Sequence, residues 1–226
     1  MIKFVQINLK KAFAAAVELN RRVNKMESYI ILASETYNFK GKIRSLPRGS
    51  RTISCENSRA ALIFSQDIQL IKIEKLTNKD CAVGLLQIGR EKVLIASMYL
   101  DIKEKVVQKW LEDVITFANA KKYALLIGMD SNAHSVLYGN QTNKRGEDIE
   151  EFIISNALSV ENLGLKPTFE AMRAGGMVRS IIDVTLSRGL RNLVQNWHVD
   201  SDFNGSDHNT ILFEYGQSKD LSLIHI

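Results

Sequence analysis

Ala124-Leu125-Leu126-Ile127-Gly128-Met129-Asp130-Ser131-Asn132-Ala133-His134 begins as a buried strand and ends as a polar rim. The run from Ala124 to Gly128 is apolar or small, long enough for a strand with both faces covered, and it closes on a breaker. An acid, a carboxamide and an imidazole follow at alternate positions. In extended backbone such residues share a face, so Asp130, Asn132 and His134 are placed to converge on one ligand. The competing reading is an Asx-rich turn, in which Asp130, Ser131 and Asn132 bond their own backbone. The residues of this stretch leave both open.

The flanking sequence supplies the layers. Ile2 to Leu9 alternates as a strand, Lys10 to Met26 shifts to helical spacing through Phe13, Ala16, Val17, Val23 and Met26, and Tyr29 to Ala33 is again an apolar run. Strand, helix, strand opens an α/β layered fold. Asn38 to Asn57 reads as a long loop. Four strand-like runs follow, Arg59–Ser65, Ile68–Leu76, Ala82–Ile88 and Lys92–Tyr99, whose short connections predict antiparallel pairing. A helix is expected over Lys105–Ala120 and another over Glu147–Ala157, the latter turning Ile149, Phe152, Ile153 and Asn156 inward. Glu170–Arg179, with Gly175-Gly176 inside, has the composition of a hairpin tip. Ser180–Ser187, Trp197–Val199 and Thr210–Tyr215 read as strands. No linker, repeat or low-complexity tract divides the chain, so the expectation is one domain of two mixed sheets packed face to face with helices outside.

Composition narrows the class. The 226 residues are 45% hydrophobic and 24% charged, ordinary values for a packed core. Thirty basic against twenty-five acidic side chains leave +5, compatible with a polyanionic partner and equally with simple solubility. Two cysteines, Cys55 and Cys81, form no CxxC pair, which argues against a zinc site or a disulfide framework. No apolar run is long enough to span a bilayer, and a soluble, intracellular protein is expected.

Polar residues gather where strands begin or end: Asn8, Glu35, Tyr99, Asp130, Asn132, Asp183, Asp207 and His208. Each has an ordinary explanation, a helix cap for Asn8 or a surface acid for Glu35. Asp183, inside the apolar run Ile181-Ile182-Asp183-Val184, is harder to dismiss, because a carboxylate there is costly without a donor. His208 is the candidate partner, since an acid fixes an imidazole's orientation and raises its basicity.

Gln6-x-Asn8, Ser34-Glu35-Thr36-Tyr37, Ser97-x-Tyr99, Gly128-x-Asp130-x-Asn132-Ala133-His134, Ser180-x-x-Asp183 and Ser206-Asp207-His208 together resemble the endonuclease/exonuclease/phosphatase superfamily. Within it the chain is similar to the apurinic-endonuclease-type domain of non-LTR, LINE-like retrotransposons. Asn143-x-Arg145-Gly146, Asn162, Pro167-Thr168-Phe169 and Ser180 to Ser187 resemble elements of the R1-like kind in particular. The resemblance runs from about residue 2 to 215. It implies a DNase I-like, four-layer α/β sandwich as an endonuclease domain over residues 1–216, with 217–226 a linker or foreign tail.

The resemblance also implies roles. Glu35 falls on the metal-binding acid, with Asn8 and Asp207 close to the ion, and such oxygen donors suit Mg²⁺ or Mn²⁺. Asp130 matches the base or orienter for the attacking water, Asn132 a phosphate donor, and Tyr99 a phosphate-bonding tyrosine. His208 is expected to contact the scissile phosphate, held by Asp183. Arg173, Arg179 and Ser180 belong to a hairpin expected to read DNA, and Lys40, Lys42, Arg44, Arg48 and Arg51 are either phosphate contacts or solvated surface. The implied reaction nicks one strand of double-stranded DNA and leaves a 3′-hydroxyl to prime reverse transcription. It implies action in the nucleus and a reverse transcriptase expected in cis, since the chain lacks that enzyme's motifs. A same-fold phosphatase, an RNA nuclease and an inert nucleic-acid-binding copy are the alternatives. Three departures stand out: Ser34 and Thr36 flank Glu35 in place of Gln and Pro, Ser131 replaces the more frequent Phe, and Lys10 stands where repair-type relatives place an acid.

Overall fold

Two apolar crossovers set the architecture. The structure, a computed structural model, describes residues 1–190, 194–200 and 202–216. The expected tail, residues 217–226, lies outside the described residues. In chain order the strands are β1 (Ile2–Asn8), β2 (Tyr29–Ser34), β3 (Asn38–Phe39), β4 (Lys42–Ile43), β5 (Arg51–Ile53), β6 (Ala60–Phe64), β7 (Leu70–Lys72), β8 (Cys81–Ile88), β9 (Glu91–Tyr99), β10 (Ala124–Asp130), β11 (Ser159–Val160), β12 (Phe169–Arg173), β13 (Gly176–Ser180), β14 (Asp183–Arg188), β15 (Val194–Asp200) and β16 (Thr210–Tyr215). The helices are α1 (Phe13–Val23), α2 (Lys109–Lys121) and α3 (Lys144–Ser155). One sheet has the order β15-β16-β1-β2-β6-β5, the other β11-β14-β10-β9-β8-β7. In each sheet one parallel pair is joined through a helix, β1 with β2 through α1 and β9 with β10 through α2. The other pairings in the two sheets are antiparallel, among them the tight hairpin of β8 with β9 and the long-range pairs β1 with β16 and β10 with β14.

Alternation along the strands divides the core into three apolar seams. Phe4, Ile30, Leu32 and Leu62 of the first sheet meet Val93, Ile95 and Leu126 of the second. Val5, Ile31, Ala33 and Ile63 turn the other way and pack on Ala15, Leu19 and Val23 of α1. Leu94, Ala96, Met98, Ile127 and Leu186 pack on Leu111, Val114 and Ile115 of α2 and on Ile149, Phe152 and Ile153 of α3. The result is helix, sheet, sheet, helices: the four-layer α/β sandwich.

The inner seam also carries polar ties. Gln6 donates from Nε2 to the carbonyls of Met129 (3.4 Å) and Val184 (3.2 Å) and accepts at Oε1 from the Thr185 hydroxyl (2.8 Å). Trp197 Nε1 donates to the same hydroxyl oxygen at 2.9 Å, and Ser97 Oγ donates to the Ala33 carbonyl at 2.9 Å. These bonds satisfy polar groups that would be costly in an apolar seam. Gly128 makes room for them, because a Cβ there would lie 2.5 Å from Leu32 Cδ1 and 2.9 Å from Gln6 Oε1.

Several boundaries differ from the sequence reading. The first helix begins only at Phe13, because Lys10 and Lys11 have φ of 49° and 53°. Its buried stripe is Ala15, Ala16, Leu19 and Val23, while Phe13 and Val17 face outward and Phe13 meets the Tyr37 ring edge-on. The expected loop over residues 38–57 contains β3, β4 and β5. Ile68–Leu76 is a strand only over β7 and then a 3₁₀ turn, Glu74–Leu76. The second helix starts four residues later than expected, at Lys109. The third starts three residues earlier, because Asn143 caps it by accepting from the Gly146 N–H at 2.8 Å. Asn156 is half-buried at its end, donating to the Phe152 carbonyl. The strand expected over Ser180–Ser187 divides, with Ser180 closing β13 and Asp183 opening β14.

Candidate active site

The parallel pairs leave their C-terminal ends at one mouth, where ligands of α/β sheets characteristically sit. Register alone sets Tyr99, Asp130 and Asp183 side by side at the ends of β9, β10 and β14. From the facing sheet Asn8 ends β1, paired with Ser34, and Glu35 follows at once. Glu35 has φ of 43° and Asn132 φ of 47°, a region non-glycine residues adopt at a cost and one common at functional sites. The loop from Asn204 to His208 completes the rim. A cleft of about 430 Å³ is lined by Asn8, Glu35, Tyr99, Asp130, Asn132, Asp207 and His208, with His134, Arg173 and Ser180 beside them.

Asp183 lies behind the wall rather than in it. Its Oδ2 is 2.8 Å from His208 Nδ1, both side chains are buried, and the Phe169 ring covers His208 edge-on at 5.1 Å. Thr168 Oγ1 accepts from the N–H groups of Ile182 and Asp183, while Asn162 donates to the Asp183 carbonyl and accepts from Thr185 N–H. Thr168 and Asn162 thereby fix the strand that carries the acid. Asp130 accepts from Asn8 Nδ2 at 2.7 Å and from Asn132 N–H at 3.2 Å. The Asx turn and the converging site, alternatives in the sequence, therefore coexist and share Asp130 and Asn132.

Burial pushes the Asp130 carboxyl up, to about 7, and the Asp183 charge adds to this against the opposing pull of His208 and Asn8. Burial pulls the His208 imidazole down, but Asp183 first, then Asp130 and Asp207, outweigh it and raise it to about 9. Burial and the surrounding carboxylates hold the Tyr99 phenol above its ordinary value, so it stays protonated.

Two lysines, whose contacts the sequence did not disclose, face the rim acids. Lys10 Nζ lies 2.7 Å from Asp207 Oδ2 and Lys11 Nζ 3.2 Å from Glu35 Oε1. Arg59 packs its guanidinium 4.8 Å from the Tyr99 ring centroid while bonding Asp80 and Asp101. Arg145 donates to the carbonyls of Leu100, Asp101, Glu104 and Ser131, tying the segments that follow β9 and β10. Gly146 permits His134 to approach, since a Cβ would lie 1.7 Å from the His134 carbonyl oxygen. No local pattern marks Arg59; Arg145-Gly146 was visible as a motif but not its purpose. Arg179 is not in the cleft wall: it pairs with Glu170 Oε1 at 2.7 Å on the hairpin.

Asp130, Asp183 and His208 bring ligand atoms within 4.8 Å of one another, a cluster able to hold a cation. Those atoms already satisfy each other and Asn8 through hydrogen bonds. The Glu35 carboxylate, at the open rim and only 3.4 Å from Asn8 Nδ2, is the freer donor. Glu35, Asp130 and Asp207 line one cleft, and carboxylate oxygens suit a hard divalent cation, whereas Asn8 turns its Nδ2 to Glu35 and Asp130 and accepts at Oδ1 from the Lys10 N–H.

A sequence profile of the family described as endonuclease-reverse transcriptase matches residues 93–212, just over half the chain. The chain belongs to this endonuclease-reverse transcriptase family. A 115 kDa protein in type-1 retrotransposable element R1DM of Drosophila melanogaster is 26% identical over 93% of the chain. The chain spans about a fifth of that relative's length, 21%. The endonuclease domain of TRAS1, a telomere-specific non-LTR retrotransposon, superposes with a TM-score of 0.83 at 26% identity, covering 97% of this chain and all of that one. The AP endonuclease LMAP from Leishmania major shares the fold, with a TM-score of 0.75 at 10% identity over 96% of this chain and 88% of that one. Family membership makes the chain a nuclease of the hydrolase class, similar to endonuclease domains of non-LTR retrotransposons of the R1 type, with a fold shared with AP endonucleases. Among the described residues no helix is long and apolar enough to cross a membrane.

Proposed function

We propose that this domain is a divalent-metal-dependent endonuclease that hydrolyses one phosphodiester of double-stranded DNA. The observation that carries this is the buried His208–Asp183 pair opening onto the same cleft as Asp130, Asn8 and Glu35. Glu35, with Asn8 and Asp207 nearby, would hold Mg²⁺ or Mn²⁺, and such an ion would supply a positive charge against the phosphate oxygens.

The chain's own groups account for the protons. Asp130, poised near 7, takes a proton from the attacking water as its oxygen bonds to phosphorus. The imidazolium of His208, oriented by Asp183, faces a non-bridging oxygen and stabilises its growing charge. Tyr99 donates its phenolic hydrogen to the same group. Asn132 spends one amide hydrogen on the Leu100 carbonyl at 3.1 Å and keeps the other for a phosphate oxygen. The P–O bond to the 3′ oxygen breaks, that oxygen takes up a proton from bulk water, and Asp130 gives the proton it accepted back to solvent. The products are a 5′-phosphate and a 3′-hydroxyl.

Arg173 and Ser180, at the cleft edge of the β12–β13 hairpin, support contact with the DNA on one side of the scissile bond. Arg179, held by Glu170, contributes through the hairpin's shape. The longer relative, a 115 kDa protein of a retrotransposable element, supports a reverse transcriptase in cis that extends the 3′-hydroxyl; on this reading the domain acts in the nucleus. Nicking of supercoiled plasmid in Mg²⁺ tests the assignment. The intact chain should relax plasmid while Glu35→Ala and His208→Ala fail; equal behaviour of all three refutes it.

A further inference from the structure

Phe203 is the most exposed large apolar side chain among the described residues, at 83%, yet the loop presenting it is firmly held. Asn204 Nδ2 donates to the His208 carbonyl (2.8 Å) and to Thr210 Oγ1 (3.1 Å), its Oδ1 accepts from Ser206 N–H, and Ser206 Oγ donates to the Asn8 carbonyl at 2.7 Å. Gly205, with φ of 76°, lies so close to α1 that a Cβ would be 2.9 Å from Ala15 N. The same anchored loop carries Asp207 and His208. Phe203 therefore projects from the start of a segment anchored at the catalytic cleft, without contributing to the core.

Phe203 lines a second groove of about 530 Å³ together with Met172 and Arg173. This groove runs into the cleft, sharing Lys10, Arg173 and Asp207 with it. Its acids are already matched: Asp207 by Lys10, and Glu170 by Arg179 and Asn209. Arg173 has no ion-pair partner among the described residues and leaves the groove positive. An exposed aromatic ring, a polarisable thioether and a guanidinium without an ion-pair partner among the described residues, in a groove that joins the proposed phosphodiester site, match a nucleobase on its backbone, because every base offers a π-face.

We propose that Phe203, with Met172 and Arg173, forms a stacking subsite for a nucleobase displaced from the duplex beside the scissile phosphate. Phe203 is then a positioning residue that selects unstacked or easily unstacked steps. The proposal rests on the DNA-endonuclease reading, and its test separates the two. Anisotropy in EDTA compares fully paired duplex with duplex carrying one unpaired 2-aminopurine, for the intact chain, Phe203→Ala and Phe203→Trp. The expected result is a roughly 5- to 150-fold weaker Kd of Phe203→Ala for the bulged duplex. Phe203→Trp should keep the affinity and the quenching of 2-aminopurine, paired duplex should distinguish none of them, and thermal melts should superimpose. Equal Kd for Phe203→Ala and the intact chain, or equal loss in Phe203→Trp, overturns the subsite, even if plasmid nicking in Mg²⁺ succeeds. Failure of the intact chain to nick, with Phe203-dependent quenching retained, overturns the nuclease reading and leaves the subsite standing.

Discussion

Replacing Asp183 by Asn removes one charge from the buried wall while preserving an acceptor for His208 Nδ1, and it should move two neighbours in the same direction for different reasons. The imidazole stands at about 9 because Asp183, 2.8 Å away, outweighs burial. Relative to the ordinary 6.5, that elevation corresponds to about 3 kcal/mol of preference for the imidazolium. Without the charge, burial should return His208 to 6.5 or below. Asp130, held near 7 partly by repulsion from Asp183, should fall toward the ordinary carboxylate range. The folded-state value of His208 exceeds its unfolded value, so its contribution to stability is full below about pH 6.5 and lost as pH rises through about 9. Asp183→Asn should flatten that decline. Proton–nitrogen NMR titration of the His208 ring, carbon NMR of the Asp130 carboxyl and urea melts across pH 6–10 read these effects. Nicking at pH 7.5 should drop by about 10²- to 10⁴-fold. A ring that still titrates near 9 in Asp183→Asn would refute the assignment of Asp183 as its dominant partner.

Gly146→Ala forces the third helix away from the His134 carbonyl and should cost on the order of 2 kcal/mol in urea unfolding, with nicking reduced through the displaced Asn132–His134 segment. Arg59→Met leaves the buried Asp80 carboxylate only the distant Lys79 ammonium, 3.9 Å away, and should destabilise by about 3 kcal/mol; an unchanged denaturation midpoint would contradict the role of the Arg59 pair. Glu35→Gln keeps the shape of the rim but removes the freest charged oxygen. Mn²⁺ affinity measured by electron paramagnetic resonance should fall at least about tenfold, as ligand-shell substitutions typically do, while the melting curve changes little.

The layers were legible because hydrophobic period is a property of nearby residues. The runs at 124–128, 29–33 and 92–99 and the alternation at 2–9 needed no tertiary information to be read as strands. Phe13 and Val17 misled for the same reason: helical spacing identifies a stripe, but alanines 15 and 16 let the sheet approach more closely and took the buried side. Lys10 and Lys11 were assigned to the helix because nothing in a lysine's chemistry announces a left-handed backbone. At the mouth, Asn8, Glu35, Asp130 and Asp183 were visible because each ends or interrupts an apolar run, and Asp207 and His208 because they stand just before the last strand. Arg59 was not, since its partners Asp80 and Asp101 lie 21 and 42 residues away and its stack on Tyr99 exists only after the sheets close.

The polar ties through Gln6 have a mechanical consequence. Oily surfaces pressed together resist separation but only weakly resist sliding, because apolar attraction has no preferred direction. Hydrogen bonds do have one, and Gln6 anchors the first sheet to two carbonyls and one hydroxyl of the second, two residues before Asn8. Half of the mouth belongs to each sheet, so a slip of one ångström between them would part Asn8 from Asp130 while leaving the stability of the interior almost untouched. Gln6 and Thr185 act as dowels between two plates. They keep the two halves of the centre aligned, a task that hydrophobic packing alone performs poorly.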